Sequence, residues 1–288
     1  MNESRGQRSA VRFTALAAGF AAWLGTAAIA AESAEEPARN AQLLDKLVAS
    51  YPDFLVSHDA NTLIWKDGTA MPFDDGKGEK DFETRLDHAD LEDQFYAPYP
   101  VGRTGIPPGV DIDPGRVRYE PFFAKMYGDC KKGEVTKKLV DVVWLPKHGG
   151  KKLTITNVNG VAEKLKAVST ELDALPDGFV KYLTPPGGTY NCRMIAGTDR
   201  PSVHGDGAAI DINVAWSDYW RNHQPVAGKY PYKNRIPWEI VEIFEKHGFI
   251  WGGKWYHYDT MHFEYRPELL PWGEARGKAM LEMRQTRP

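Results

Sequence analysis

The chain has few cysteines, little net charge and almost no long apolar runs, and each scarcity removes a class of protein. Two cysteines in 288 residues cannot build a disulfide-dense scaffold. Lysine plus arginine number 36 against 39 for aspartate plus glutamate, a net charge of −3, so no basic field exists to gather nucleic acid. There is no internal repeat, no low-complexity tract and no phosphate-cradling loop; the pairs Gly187-Gly188 and Gly252-Gly253 stand alone. What remains is ordinary globular material, 42% hydrophobic and 26% charged, able to bury a real core. The length suits one large domain or two small ones.

The one extended apolar stretch lies near the N-terminus. Arg5, Arg8 and Arg12 precede Phe13–Ile29, which is apolar or small throughout, and Ala28-Ile29-Ala30 supplies a small-x-small site. A positive leader, an apolar segment and such a site read as a secretory signal over residues 1–30. The rival reading, a membrane anchor, is disfavoured because the stretch is short and rich in Ala and Gly rather than Leu. Cleavage would remove three arginines and one glutamate, taking the net charge from −3 to −5. It would also leave no stable membrane span. The expected address is therefore exported, periplasmic or secreted. In an oxidising compartment Cys130 and Cys192 are expected to pair; the alternative, two zinc thiolates, lacks the close C-x-x-C spacing.

Residues 32–40 are polar and read as a loose leader, and residues 41–119 show no long periodic segment. Phe73–Lys80 and Pro98–Pro114 are full of turn formers. Residues 31–119 are thus expected to be a loop-rich N-terminal extension, followed by a more regular domain over 120–288. There, Leu139–Leu145 and Leu153–Thr156 read as strands. Val161, Leu165, Val168 and Leu172 mark one face of a helix. A second helix should begin at Pro237, bury Ile240, Ile243 and Phe244, and stop at Gly248. Ala208–Val214 and Trp255–Tyr265 read as further strands. Helices and strands intersperse without a βαβ rhythm, so the fold class is α+β, a small, mainly antiparallel sheet flanked by helices.

Two segments carry chemistry. Ser202 to Asp211 reads S-x-H-x-x-G-x-A-x-D, and Asp259 to Glu264 reads D-x-x-H-F-E. Two imidazoles and one carboxylate, from His204, Asp211 and His262, suit a zinc ion that keeps one position open for water. His204 and Asp211 cannot share a helical turn, so a loop must deliver the histidine and the strand AAIDIN the aspartate.

These motifs resemble the zinc D-alanyl-D-alanine carboxypeptidase family. It includes VanX- and VanY-type enzymes and phage L-alanoyl-D-glutamate endopeptidases, within the lysostaphin/D-Ala-D-Ala peptidase/hedgehog superfamily. The resemblance covers roughly residues 182–270. It implies that His204, Asp211 and His262 hold one Zn2+ per chain. It also implies that Asp259, three residues before the last histidine, is the general base and later the proton donor. Arg193, upstream of both motifs, would grip a substrate carboxylate or the developing oxyanion. Glu264 is a rival base, but holding an imidazole N–H is the preferred role for it. Ser202 would orient the loop or a substrate amide, and His257, five residues before His262, would line the cleft. Trp251, Trp255 and Tyr256 could form a groove wall, but aromatics in such a strand are at least as often core, and they are left out of the site.

The implied substrate is the D-amino-acid-containing stem peptide of bacterial peptidoglycan. Removal of a terminal D-Ala is favoured over endopeptidase cleavage, which needs a groove open at both ends. A zinc-stabilised peptide-binding module without catalysis is the alternative from another class. The oligomeric state is not legible.

Overall fold

Richness in β-branched residues makes Leu139–Trp144 (β4) and Lys151–Thr156 (β5) an antiparallel hairpin, with Val142 opposite Leu153. Val142, Trp144, Leu153 and Ile155 are buried on one face of it. Against that face lies α4, Val161–Leu172, whose Val161, Leu165, Val168 and Leu172 are all buried, as their spacing predicts. The computed structural model, in which these elements are seen, describes residues 37–104 and 108–271. The expected signal segment and its cleavage site, residues 31–36 and residues 272–288 lie outside the described residues.

After a single turn, Val180–Leu183 (α5), the helix expected after Pro237 is α6, Trp238–Lys246. Ile240, Val241 and Phe244 are its buried residues, with Ile243 only partly covered. Its end is tied to α4, because Lys246 Nζ and His247 Nε2 both meet the Glu171 carboxylate at 2.7 Å. α6 packs on a second sheet of three antiparallel strands in the order β6-β8-β7: Ala209–Asp211 (β6), His262–Tyr265 (β8) and Phe249–Trp251 (β7). Phe263 on the central strand stacks on Phe244 with ring centroids 3.8 Å apart. The architecture is α+β with small antiparallel sheets.

Two expected strands are shorter than predicted. Ala208–Val214 pairs only over Ala209–Asp211, because Asn213 turns away and caps the following turn by accepting from Ala215 N. In Trp255–Tyr265 only the last four residues join the sheet. The aromatic run before them is spent on another partner: Trp255 Nε1 donates to Pro114 O, Tyr256 N to Ile112 O, and His257 N to Asp113 Oδ1.

The N-terminal part departs furthest from expectation. Residues 37–50 are helical (α1), and Leu44, Leu47 and, just beyond, Tyr51 are fully buried. Leu55–His58 (β1), Thr62–Trp65 (β2) and Ala70–Pro72 (β3) then form an antiparallel meander. After a short helix, Phe82–Asp87 (α2), the described residues up to 119 are mostly turns and irregular chain. Glu120–Tyr127 (α3) brings Phe122 against Tyr51 and Trp65, each pair of rings 5.5 Å apart. Residues 37–119 therefore share one hydrophobic cluster with the rest of the described chain. Beside the meander, the Lys80 ammonium sits among Asp75, Asp90 and Asp93, at 3.5, 3.0 and 2.5 Å.

Candidate metal centre and cleft

The strand register supplies two members of the centre. Asp211, last in β6, lies directly opposite His262, first in β8, and side chains so paired share a face. His204 comes from the short turn Val203–Asp206, which Ser202 caps by accepting from His204 N. Gly205 in this turn leaves little room for a Cβ, which would lie 3.2 Å from Cys130 Sγ. Gly207 closes the turn at φ +67°, where glycine is favoured. Cys130 and Cys192 are disulfide-bonded. The bridge thus packs on the turn that presents His204 and also adjoins Arg193.

The three donors form a tight triangle. His204 Nε2 is 3.3 Å from both His262 Nδ1 and Asp211 Oδ1, and the last two are 3.1 Å apart. Four ligands placed tetrahedrally at zinc's bond lengths of about 2.0–2.1 Å stand about 3.3 Å from one another, so the donor set and its spacing fit that ion. Each imidazole is fixed from behind. His204 Nδ1 donates to Thr189 O at 2.5 Å, leaving Nε2 bare, and His262 Nε2 meets Glu264 Oε2 at 2.9 Å. This is the arrangement that orients histidine ligands. Burial opposes charge on His262, but hydrogen bonds to Asp211 and Glu264 prevail and push it up to about 10. The same two histidines hold the Asp211 carboxyl well below the usual range in spite of its burial.

Glu264 is fully buried and its oxygens are taken. Besides His262 it accepts from Arg118 Nη1 at 3.0 Å and Arg266 Nη1 at 3.2 Å. Arg266 Nε bonds Glu268 at 2.5 Å, and Glu268 accepts from Tyr51 Oη at 2.6 Å. Burial raises the Glu264 carboxyl, yet Arg118 and His262 bring it down to about 2. A carboxylate so occupied positions His262, and the rival role as base does not suit it.

Asp259 is different. It lines a cleft of about 300 Å³ together with all three donors, and its enclosed Oδ1 has no hydrogen-bond partner among the described residues. Burial lifts its carboxyl to about 6 against the pull of His262. Arg193 is exposed at the same cleft and bonds only the neighbouring Met194 carbonyl, at 3.3 Å. Ser202 and His257 also line it. The Ser202 hydroxyl is engaged in the cap. His257 Nδ1 is held by Asp113 Oδ2 at 2.8 Å, with its ring stacked on Phe82 at 5.4 Å.

Residues 196–265 match the family model described as D-alanyl-D-alanine carboxypeptidase. The matched segment is similar to that family over about a quarter of the chain. It holds the three donors and Asp259, whereas Arg193 lies just before it. No curated protein and no solved structure matches the chain. Peptidases of the family are zinc-dependent, and the donor triangle is where this chain would hold the ion.

Sequence reasoning did not single out Arg116, Arg118, Tyr219 or Trp220 for the cleft, and Trp255 belongs to the core while one edge of it also lines the cleft. The two arginines come from the stretch read as an extension, far from the motifs in sequence, and no local pattern marks them. A second cavity, about 160 Å³, is lined by residues 187–191 and shares Arg193, His204 and Asp211 with the first.

Proposed function

We propose that the protein is an exported zinc metallopeptidase that hydrolyses peptide bonds in the D-amino-acid-containing stem peptide of bacterial peptidoglycan, as a D-alanyl-D-alanine carboxypeptidase. The observation that carries this reading is the donor triangle opening on a cleft beside an enclosed, unpartnered Asp259 carboxylate. The positive leader and apolar N-terminal segment support export, where that substrate lies. Among the described residues no helix is long and apolar enough to cross a membrane.

Zinc in the triangle would supply Lewis acidity toward a carbonyl and make water acidic enough to attack near neutral pH. Asp259 takes the proton from that water and returns it to the leaving amine. A carboxyl near 6 is matched to both transfers. Arg193 borders both cavities, and there its guanidinium would offset the negative charge that develops on the scissile carbonyl. Glu264, Thr189 and Ser202 keep the two imidazoles aimed.

One observation favours a second reading, an L-alanoyl-D-glutamate-type endopeptidase. Two cavities share Arg193, His204 and Asp211, so the donor triangle borders more space than a single terminal residue needs. Mass spectrometry of pentapeptide muropeptides incubated with the zinc-loaded protein decides between them. Loss of a single terminal alanine is the expected result, and a cut within the stem would establish the endopeptidase. Intact muropeptides with stoichiometric zinc would leave a zinc-stabilised binding module and overturn the enzyme reading.

A further inference from the structure

Three arginines line the larger cavity, and their partners set them apart. Arg118 is committed to Glu264, through contacts of 3.3 and 3.0 Å. Arg193 borders both cavities, beside the donor triangle. Arg116 belongs to the larger cavity alone, the one that also contains Asp259.

Arg116 is built in rather than draped on the surface. Its Nη1 donates to Asp113 Oδ2 at 2.9 Å and lies 3.4 Å from His257 O. Its guanidinium sits 5.8 Å from the Trp220 ring and 5.9 Å from the Trp255 ring, within the range of a cation–π contact. Asp113 is fully buried and shares its carboxylate among Arg116, His257 N and His257 Nδ1. One carboxylate spread over three donors orients the guanidinium without exhausting it. Nε and Nη2 make no hydrogen bond to a described residue, and the side chain stays 15% exposed. The charge of Arg116 also reaches the Asp259 carboxyl, lowering it. A rigid, aromatic-flanked guanidinium with two nitrogens unclaimed is a bidentate carboxylate receptor.

We infer that Arg116 binds the α-carboxylate of the residue released by cleavage, a role separate from that of Arg193 at the scissile carbonyl. The inference rests on the peptidase reading for orientation: Asp259 returns its proton to the leaving amine, so the leaving residue occupies the cavity that Asp259 and Arg116 share. The substrate class it selects is a peptide whose leaving residue carries a free carboxylate, which favours trimming from the C-terminus over internal cleavage. The segment that delivers Arg116 is stapled to the cleft wall by the bonds from residues 255–257 to residues 112–114. Specificity thus comes from outside the matched segment.

The test is calorimetric titration of a stem peptide ending in D-Ala-D-Ala, and of its C-terminal amide, into zinc-loaded Asp259→Ala protein with and without Arg116→Gln. With Arg116 present the free acid should bind about tenfold more tightly than the amide, the scale of a charged hydrogen bond. In Arg116→Gln the gap should shrink to about twofold while the amide's affinity holds. Because acid and amide are compared within one protein, loss of folded material cancels. Arg116→Lys, which keeps the charge but loses the fork, should fall between. A gap that persists in Arg116→Gln overturns the inference, as does equal binding of acid and amide, or no binding of either, with Arg116 in place. Failure of the wild-type protein to cleave muropeptides would strike the peptidase reading and leave the binding result to be judged alone.

Discussion

Among the described residues, metal-ligand-type side chains gather in two regions, the acidic one around Asp90 and the one at His204, Asp211 and His262, and the two are built on opposite plans. Around Lys80, three carboxylates face an ammonium supplied by the chain itself, with the Lys80 side chain only 7% exposed. At His204, Asp211 and His262, the donors face one another at 3.1–3.3 Å, and the residues behind them are a carbonyl and a carboxylate. No lysine or arginine among the described residues bonds those three donors. The first cluster draws its cations from the chain, Lys80 on all three carboxylates and Arg85 on Asp93. The second gathers lone pairs around a position at the head of a cleft, which suits a cation from outside. Proximity of acidic groups is common to both, so the distinction rests on what neutralises them.

The comparison breaks first if the wrong cluster holds metal. His204→Ala should lose stoichiometric zinc, measured by elemental analysis after dialysis, because two remaining ligands hold the ion poorly. Asp90→Ala should keep it. The reverse pattern would exchange the two assignments. Next in size, Asp259→Ala should retain zinc but lose roughly 10²- to 10⁴-fold in kcat, the scale of general acid–base catalysis. Since burial has raised this carboxyl to about 6, it is protonated below that pH and cannot accept a proton. Activity should therefore fall as pH drops, with a limb at or below about 6, because a nearby zinc charge lowers the value. Zinc content followed over the same range separates this limb from loss of metal.

Lys80→Met should leave zinc content and kcat unchanged and lower stability by about 3 kcal/mol in urea unfolding, because it takes the cation from the buried Asp90 carboxylate and leaves Asp93 only Arg85. A loss of zinc there would mean that the two clusters are coupled. The smallest expected effect is that of Glu264→Gln, which keeps the shape but weakens the hold on His262. Zinc affinity should drop by about 10- to 100-fold in competition with a chelator. An unchanged affinity would show that Arg118 and Arg266 do not act on the centre through Glu264.

The centre was legible in sequence because its geometry is local. A histidine in a glycine-bearing turn, an aspartate on the strand that follows and a histidine on the paired strand need only two short motifs and one register. The cleft wall was not legible, since Arg116 and Arg118 reach it through tertiary packing that no periodicity records. In α1, Leu44, Leu47, Val48 and Tyr51 do recur at helical spacing. That signal was overlooked beside a polar stretch, and tertiary burial makes the helix. The aromatic run from Trp255 to Tyr258 shows the converse. Its strand-like composition was real, but its bonding groups went to residues 112–114 instead of a ladder.

The run from Tyr51 through Glu268, Arg266 and Glu264 to His262 has a practical side. A fragment begun at residue 120, where the regular domain was expected to start, would lack Tyr51 and Arg118. Glu264 and Glu268 would then each lose a donor inside a nonpolar interior. Anyone trimming the chain to the shortest expressible peptidase should therefore find the useful boundary upstream of residue 37, although the family motif begins at residue 196.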